Sequence, residues 1–256
     1  FLNFFSTFFG FGFQTQSTFD YFEPRIDGRY YRRTPFYFVY GGFSTDYRKK
    51  LAVDMNMNFS NFATYSPNGL PQLVGYGGSI SPRYRFNDKF TISASSEYNF
   101  DPFNDGFADI DDNGEIIFGG RKLHTYINSI KLRYIIRNDM TITANVRDYW
   151  FTAEYQKYYT LGSDGYLFDN TQYNVNNDFS YNYVNVDVVF SWQFLPGSFL
   201  TASYRDIIET ETPLMYYTFG ENFNETIKTP QRQSFTLKLL YFLDYQLLKR
   251  RKGKAV

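Results

Sequence analysis

The chain has 256 residues, 26 basic and 26 acidic side chains and no cysteine, which excludes disulfides and thiolate metal sites and leaves no basic footprint for nucleic acid. Mean hydropathy is −0.45, and no apolar run approaches the roughly 18 residues of a membrane helix, so helical spans are excluded while membrane strands are not. The 30 Phe and 25 Tyr favour strands and interfaces over helices.

Period-two alternation marks strands with one apolar and one polar face. Phe1 opens in mid-pattern without an initiator Met or signal peptide, which reads as a processed chain or the end of a longer one. The first predicted strand is 8–19, with Phe9, Phe11, Phe13 and Phe19 opposite Gly10, Gly12, Gln14 and Gln16. A loop leads to a second strand, 36–45, and a turn at Asp46–Lys49 to a third, 50–62, where Leu51, Val53, Met55, Met57 and Phe59 alternate with Ala52, Asp54, Asn56 and Asn58. A loop holding Pro67-Asn68-Gly69 precedes strand 74–86; Asn87-Asp88 turns the chain into strand 89–100. An acidic loop is expected over 101–120. Strands 122–137 and 140–155 meet at Asn138-Asp139, and a loop over 156–180 follows. The hairpin 182–194 and 199–208 turns at Pro196-Gly197, because proline fixes φ and glycine accepts φ > 0. A last loop, 209–230, leads to strand 233–245.

This gives ten strands whose connections alternate long and short. An antiparallel up-and-down transmembrane β-barrel of the bacterial outer membrane has this rhythm, with short periplasmic turns and long extracellular loops. The expected organisation is a barrel over 1–245, itself complete or the C-terminal part of a larger one, and a basic periplasmic tail over 246–256. The polar parity carries Asp54, Arg83, Arg85, Glu97, Lys131, Arg133, Arg147, Asp187, Arg205 and Lys238, which then face the lumen. The apolar parity faces hydrocarbon, where a midplane Lys or Arg costs about 2–4 kcal/mol. Trp150, Trp192, Phe194, Phe199 and Tyr245 crowd strand ends as an aromatic girdle.

The runs GRKLHTYINSIKLRYIIRNDMTITANVRDYW (Gly120–Trp150), YYTLGSDGYL (Tyr158–Leu167), FSWQFLPGSFLTASYRD (Phe190–Asp206) and SFTLKLLYFLDYQLLKRRK (Ser234–Lys252) resemble the C-terminal end of a large outer-membrane family. Its members are carbohydrate-binding family 9-like proteins with a C-terminal barrel domain of unknown function. DGRYYRRTPFYFVYGGFSTDYRKKL (Asp27–Leu51) resembles an earlier part of that domain. The resemblance implies a sugar-binding-like module upstream of the barrel, and further upstream strands. It is silent on chemistry.

Within the acidic stretch, Asp109, Asp111, Asn113 and Gly114 match the opening of a calcium loop, with Glu115 or Asp112 in place of the distal glutamate, since position twelve is Gly120. The plainer reading is a solvated outer loop. His124 is the single histidine, and any triad would have to use it. Glu97 and Asp187 lie on non-adjacent strands and read as lumen ion pairs. Tyr155–Tyr159 and Tyr181–Tyr183 read as girdle or loop packing, or as platforms for sugar rings. No catalytic set and no cofactor is expected beyond that calcium. Partners are outer-membrane lipid and a glycan or another outer-membrane protein at the loops. The function read is a non-enzymatic outer-membrane barrel whose loops bind or assemble, in surface glycan handling. A diffusion channel for glycans or other nutrients and a soluble barrel or lectin-like domain are the rivals.

Overall fold

The computed structural model describes residues 3–62, 74–216 and 218–243. The elements are β1 (Ser6–Gln14), β2 (Thr18–Asp20), β3 (Tyr31–Arg33), β4 (Phe36–Ser44), β5 (Leu51–Phe62), β6 (Val74–Arg85) and β7 (Phe90–Ile110). They continue as β8 (Ile116–Arg137), β9 (Met140–Leu161), β10 (Leu167–Asp169), β11 (Phe179–Leu195), β12 (Ser198–Thr212), α1 (Phe219–Thr226) and β13 (Gln231–Leu240). Eleven strands form one antiparallel sheet in the order β1-β4-β5-β6-β7-β8-β9-β11-β12-β13, with β10 paired to β9; β2 and β3 form a separate two-stranded ribbon. Among the described residues the sheet is open: β1 and β13 are its edges and do not pair with each other.

The short turns form for local reasons. Asn87 accepts from the backbone N–H groups of Lys89 and Phe90, both at 2.9 Å, which closes the β6–β7 turn. Asp46 caps the β4–β5 turn by accepting from Arg48 N at 2.9 Å. Gly197 sits at φ +76 after Pro196, a conformation that an L side chain would strain.

The other end departs from the sequence expectation. The 101–120 segment is strand rather than loop: β7 and β8 run on through it and meet in a tight turn at Asp111–Glu115. Bulges between Asp101 and Asn104 and between Phe107 and Asp109 absorb the irregular residues. β9 likewise continues to Leu161, and β11 and β12 extend past 182 and 208. The strand expected over 8–19 ends at Gln14, because Asp20 caps a local turn through Phe22 N at 2.8 Å and pairs with Arg33 at 2.6 Å, drawing 18–20 into the ribbon. The 209–230 connection contains α1, started by Thr218 accepting from Glu221 N at 3.3 Å. The last described strand ends at Leu240; Tyr245, the Pro67-Asn68-Gly69 turn and the 246–256 tail lie outside the described residues.

The apolar core of the described residues sits at this long-connection end. Tyr31, Ile116, Phe118, Tyr159 and Leu161 form it, flanked by Ile26, Phe103, Phe107 and Leu167. The ribbon thus packs on the upper reaches of β7–β9. Helix α1 covers the neighbouring strands: Asn222 donates to Asn182 Oδ1 at 2.6 Å, and Phe219 lies 6.5 Å from Trp150. Thr218→Ala removes the helix cap and is expected to cost about 1 kcal/mol. It should raise amide exchange in 219–226 while leaving β8 and β9 unchanged; equal loosening of those strands would contradict a local cap.

Candidate functional site

Residues opposite each other in the ladder share a face, so the register alone sorts the side chains. One row runs Arg83–Ser93–Lys131–Asn145–Asp187–Arg205, and the next runs Arg85–Thr91–Arg133–Thr143. Asp54, Ser81, Ser95, Ser129, Arg147 and Asn185 make a third row. Glu97 lies in the row above, and Lys238, opposite Thr201, in a row near the short turns. All nine charges read as lumen-facing, and Lys131, therefore share one face of the sheet. Arg205 pairs with Asp187 at 2.6 Å across adjacent strands. Glu97 accepts from Asn99 at 2.8 Å, and Asp54 accepts from Tyr47. Glu97 and Asp187 are not brought together.

The opposite face is apolar through the half of each strand nearest the short turns. Tyr84, Ile92, Leu132, Ala144, Val188, Tyr204 and Phe235 form one of its rows. Among the described residues no protein layer covers it: Phe9 is 76% exposed, Leu237 63% and Ile130 51%. Within that half two carboxylates of the described residues interrupt this parity. Asp148 lies in a polar string in which Ser96 donates to Asn128 and Asn128 donates to Asp148 at 3.1 Å, just below the helix-covered region. Asp206 lies opposite Gln233 beside the free edge.

The aromatics divide. Trp192 donates to Asp139 Oδ2 at 3.1 Å and packs on Phe194, which stacks on Tyr241, forming a cluster at the short-turn end. Phe199 sits there too, opposite Leu240. Trp150 is not a girdle residue. It is 3% exposed, stacks on Tyr126 at 4.6 Å and donates to Ser180 at 3.1 Å beneath α1. His124 packs on Phe100 and hydrogen-bonds Tyr98 at 2.9 Å.

The predicted calcium residues occupy a hairpin tip. Asp111 accepts from the backbone of Asn113 at 3.0 Å and Glu115 at 2.8 Å, and Gly114 takes φ +80. Asp109 lies in β7 and accepts from Tyr173 at 2.8 Å. The twelve-residue loop such a site needs is replaced by a five-residue turn, and among the described residues no three of His, Cys, Asp or Glu are grouped to hold a metal.

A polar pocket of about 160 Å³ lies under the ribbon, lined by Gln14, Arg33, Asp101, Phe103, Asn104 and Asp105 among others. Tyr31 donates to Asp105 Oδ2 at 3.0 Å, while Oδ1 is buried without a partner. Burial pushes the Asp105 carboxyl up to about 6, against the lowering effect of the Tyr31 hydrogen bond. Sequence reasoning missed this group because it took 101–120 for a loop. The Thr218-Phe-Gly-Glu221 capping signature of α1 was there to be read.

Residues 1–252 match the family model described as Domain of unknown function (DUF5916). The chain belongs to this family. No curated protein and no solved structure matches the chain. The family thus contributes a boundary, residues 1–252, that takes in both faces of the sheet and the folded connections.

Asp105 has a testable sign. Its folded pKa lies above the ordinary carboxylate value of 3.8, so its contribution to stability is complete below that value and is lost as pH rises through about 6. Protection of the 18–33 ribbon from limited proteolysis should fall between about pH 4 and pH 6 and then level. Asp105→Asn should flatten that profile; an identical slope in the variant would show another group is responsible.

Proposed function

We propose that the chain forms the wall of an outer-membrane β-barrel, non-enzymatic in itself. Its turns and C-terminal tail face the periplasm, and its long-connection end faces outward, where it binds a glycan or another outer-membrane protein. The observation that carries this reading is the bare apolar face. Large apolar side chains stand exposed in register across it, from Phe9 on β1 to Leu239 on β13, with the charges on the other side. Each Phe or Leu left in water forgoes about 1.5–3 kcal/mol of burial, and soluble monomers rarely expose more than about 300–600 Å² of contiguous apolar surface. Hydrocarbon supplies the missing contact without a second protein layer.

The open edges fit the same reading. A strand edge facing lipid leaves backbone N–H and C=O groups without water, so a membrane sheet must close. Among the described residues the outer edges of β1 and β13 carry no partner strand, and a barrel larger than this sheet satisfies both. The soluble-barrel alternative has no account of the exposed rows. A diffusion passage is favoured over a filled scaffold by one feature: Arg85, Lys131 and Arg133 face the polar side with no ion-pair partner among the described residues.

The test contrasts the two faces. Leu132→Arg is expected to weaken folding into lipid vesicles by about 2–4 kcal/mol. Ser203→Arg, on the polar face beside β13, is expected to change it by less than about 1 kcal/mol. Equal tolerance of the two substitutions, or complete folding without detergent or lipid, would overturn the membrane reading.

A further inference from the structure

The two neighbouring polar rows converge on a cavity of about 600 Å³ near the short turns. Four cations line it, Arg83 and Arg85 from β6 and Lys131 and Arg133 from β8, and Asp88 is the one carboxylate in its lining. The register fixes their spacing. Ser93 stands between Arg83 and Lys131, and Thr91 between Arg85 and Arg133. With strands about 4.8 Å apart and about 6.8 Å between alternate residues, the four side chains start from the corners of a rectangle roughly 7 by 10 Å.

Arg83 is held in place, donating to the Tyr47 carbonyl at 2.7 Å with its guanidinium 4.4 Å over the Tyr47 ring. Arg85, Lys131 and Arg133 have no side-chain hydrogen bond or ion pair among the described residues. The contrast with the same face two strands on is informative. There Arg205 is neutralised at 2.6 Å by Asp187, an acid on the adjacent strand. Between β6 and β8 the intervening side chains are the hydroxyls of Ser93 and Thr91, which donate to an anion and do not compete for the cations. Like charges gathered at a concave surface repel one another and focus the field into the cavity, an arrangement relieved by an incoming anion.

We propose that this cavity is a binding site for a multivalent anion, a compact solute carrying phosphate groups or several carboxylates. The guanidinium groups of Arg83, Arg85 and Arg133 supply planar forks for bidentate contacts to phosphate or carboxylate oxygens, and Lys131 supplies a point charge. An anion with several charged groups can engage more than two of these side chains at once, which a monovalent anion does not. The cations lie on the face opposite the exposed apolar rows, so the ligand arrives through water and not from a lipid headgroup. That last step rests on the membrane reading above; the site itself does not.

Isothermal titration of the full chain in detergent with inorganic triphosphate tests the assignment. Saturable binding is expected at about 0.05 M salt, weakening roughly tenfold at about 0.3 M. The double variant Arg85→Gln, Arg133→Gln should lose at least about tenfold in affinity, whereas Lys238→Gln, on the same face outside the cavity, should bind as the parent does. Circular dichroism confirms that each protein titrated retains its strands. If the double variant does not fold, Lys131→Gln alone is read in its place, with a loss of about threefold or more expected. No heat beyond dilution from the folded parent, or undiminished affinity in the cavity variants, would overturn the proposal. Because the titration needs no bilayer, it separates from the fate of the barrel reading: a chain that binds triphosphate but never enters vesicles keeps this site and loses that one.

Discussion

The hydrogen-bond ladder governs everything else in this chain. Side chains alternate with a period of two, and residues opposite one another share a face, so a register that is unbroken through the middle of ten strands, with bulges only towards their ends, sorts the chain into two surfaces. Between Asp187 and Arg205 on one side and Val188 and Tyr204 on the other there is only a one-residue step. A slip by that step would turn the ion pair into the apolar surface and the apolar pair into the charged one. Register is strongly specified where one face is apolar and the other charged, and here both conditions hold over most of the sheet.

The two ends of the sheet use that ladder differently. Near the short turns each strand has the sheet and nothing else: charges on one surface, bare Phe, Leu and Ile on the other. Towards the long connections the strands of β7–β9 continue as a hairpin extension, and protein covers the formerly bare parity. Ile116 and Phe118 are 1% and 0% exposed because the ribbon lies over them, and Trp150 is enclosed because α1 does. The change from bare to covered occurs where Ser96, Asn128 and Asp148 form a polar string, which is where an apolar medium would have to end. Asp105 belongs to the covered region, and its raised pKa reflects the same burial that shapes the core beside it.

The ten strands on the main path of the sheet, their antiparallel order and the shared face of the charges named from alternation were legible, because they follow from period two and from turn residues such as Asn87-Asp88 and Pro196-Gly197; the short strands β2, β3 and β10 were not. Nor were the extents. In 101–120 the acids Asp101, Asp105, Asp109, Asp111 and Asp112 mask a hairpin: on β7 two bulges displace Phe103 and Phe107 from the simple period, and on β8 Ile116 and Phe118 follow the turn directly. A calcium loop was read where carboxylates serve a turn and a tyrosine. The short first strand was misjudged because Phe19 continues its parity, while the tertiary pull of Asp20 on Arg33 takes it out of the sheet. Trp150 was assigned by position to a girdle; only the packing of α1, many residues later, decides that it is enclosed. The cation cluster combines residues from two strands that are not neighbours, so single-strand patterns list its members without joining them.

The sheet's two free edges and its bare face are one problem with one solvent-dependent answer, which residue-level accessibility can measure. The chain has no native cysteine, so single cysteines placed along β8 at Ile130, Lys131, Leu132, Arg133 and Tyr134 accept nitroxide labels without background. In lipid vesicles the account predicts alternating collision rates: high with dissolved oxygen at 130, 132 and 134, and high with a water-soluble metal chelate at 131 and 133. Even positions shielded from both reagents, as between two protein layers, or open to the chelate, as on a water-exposed surface, would contradict it.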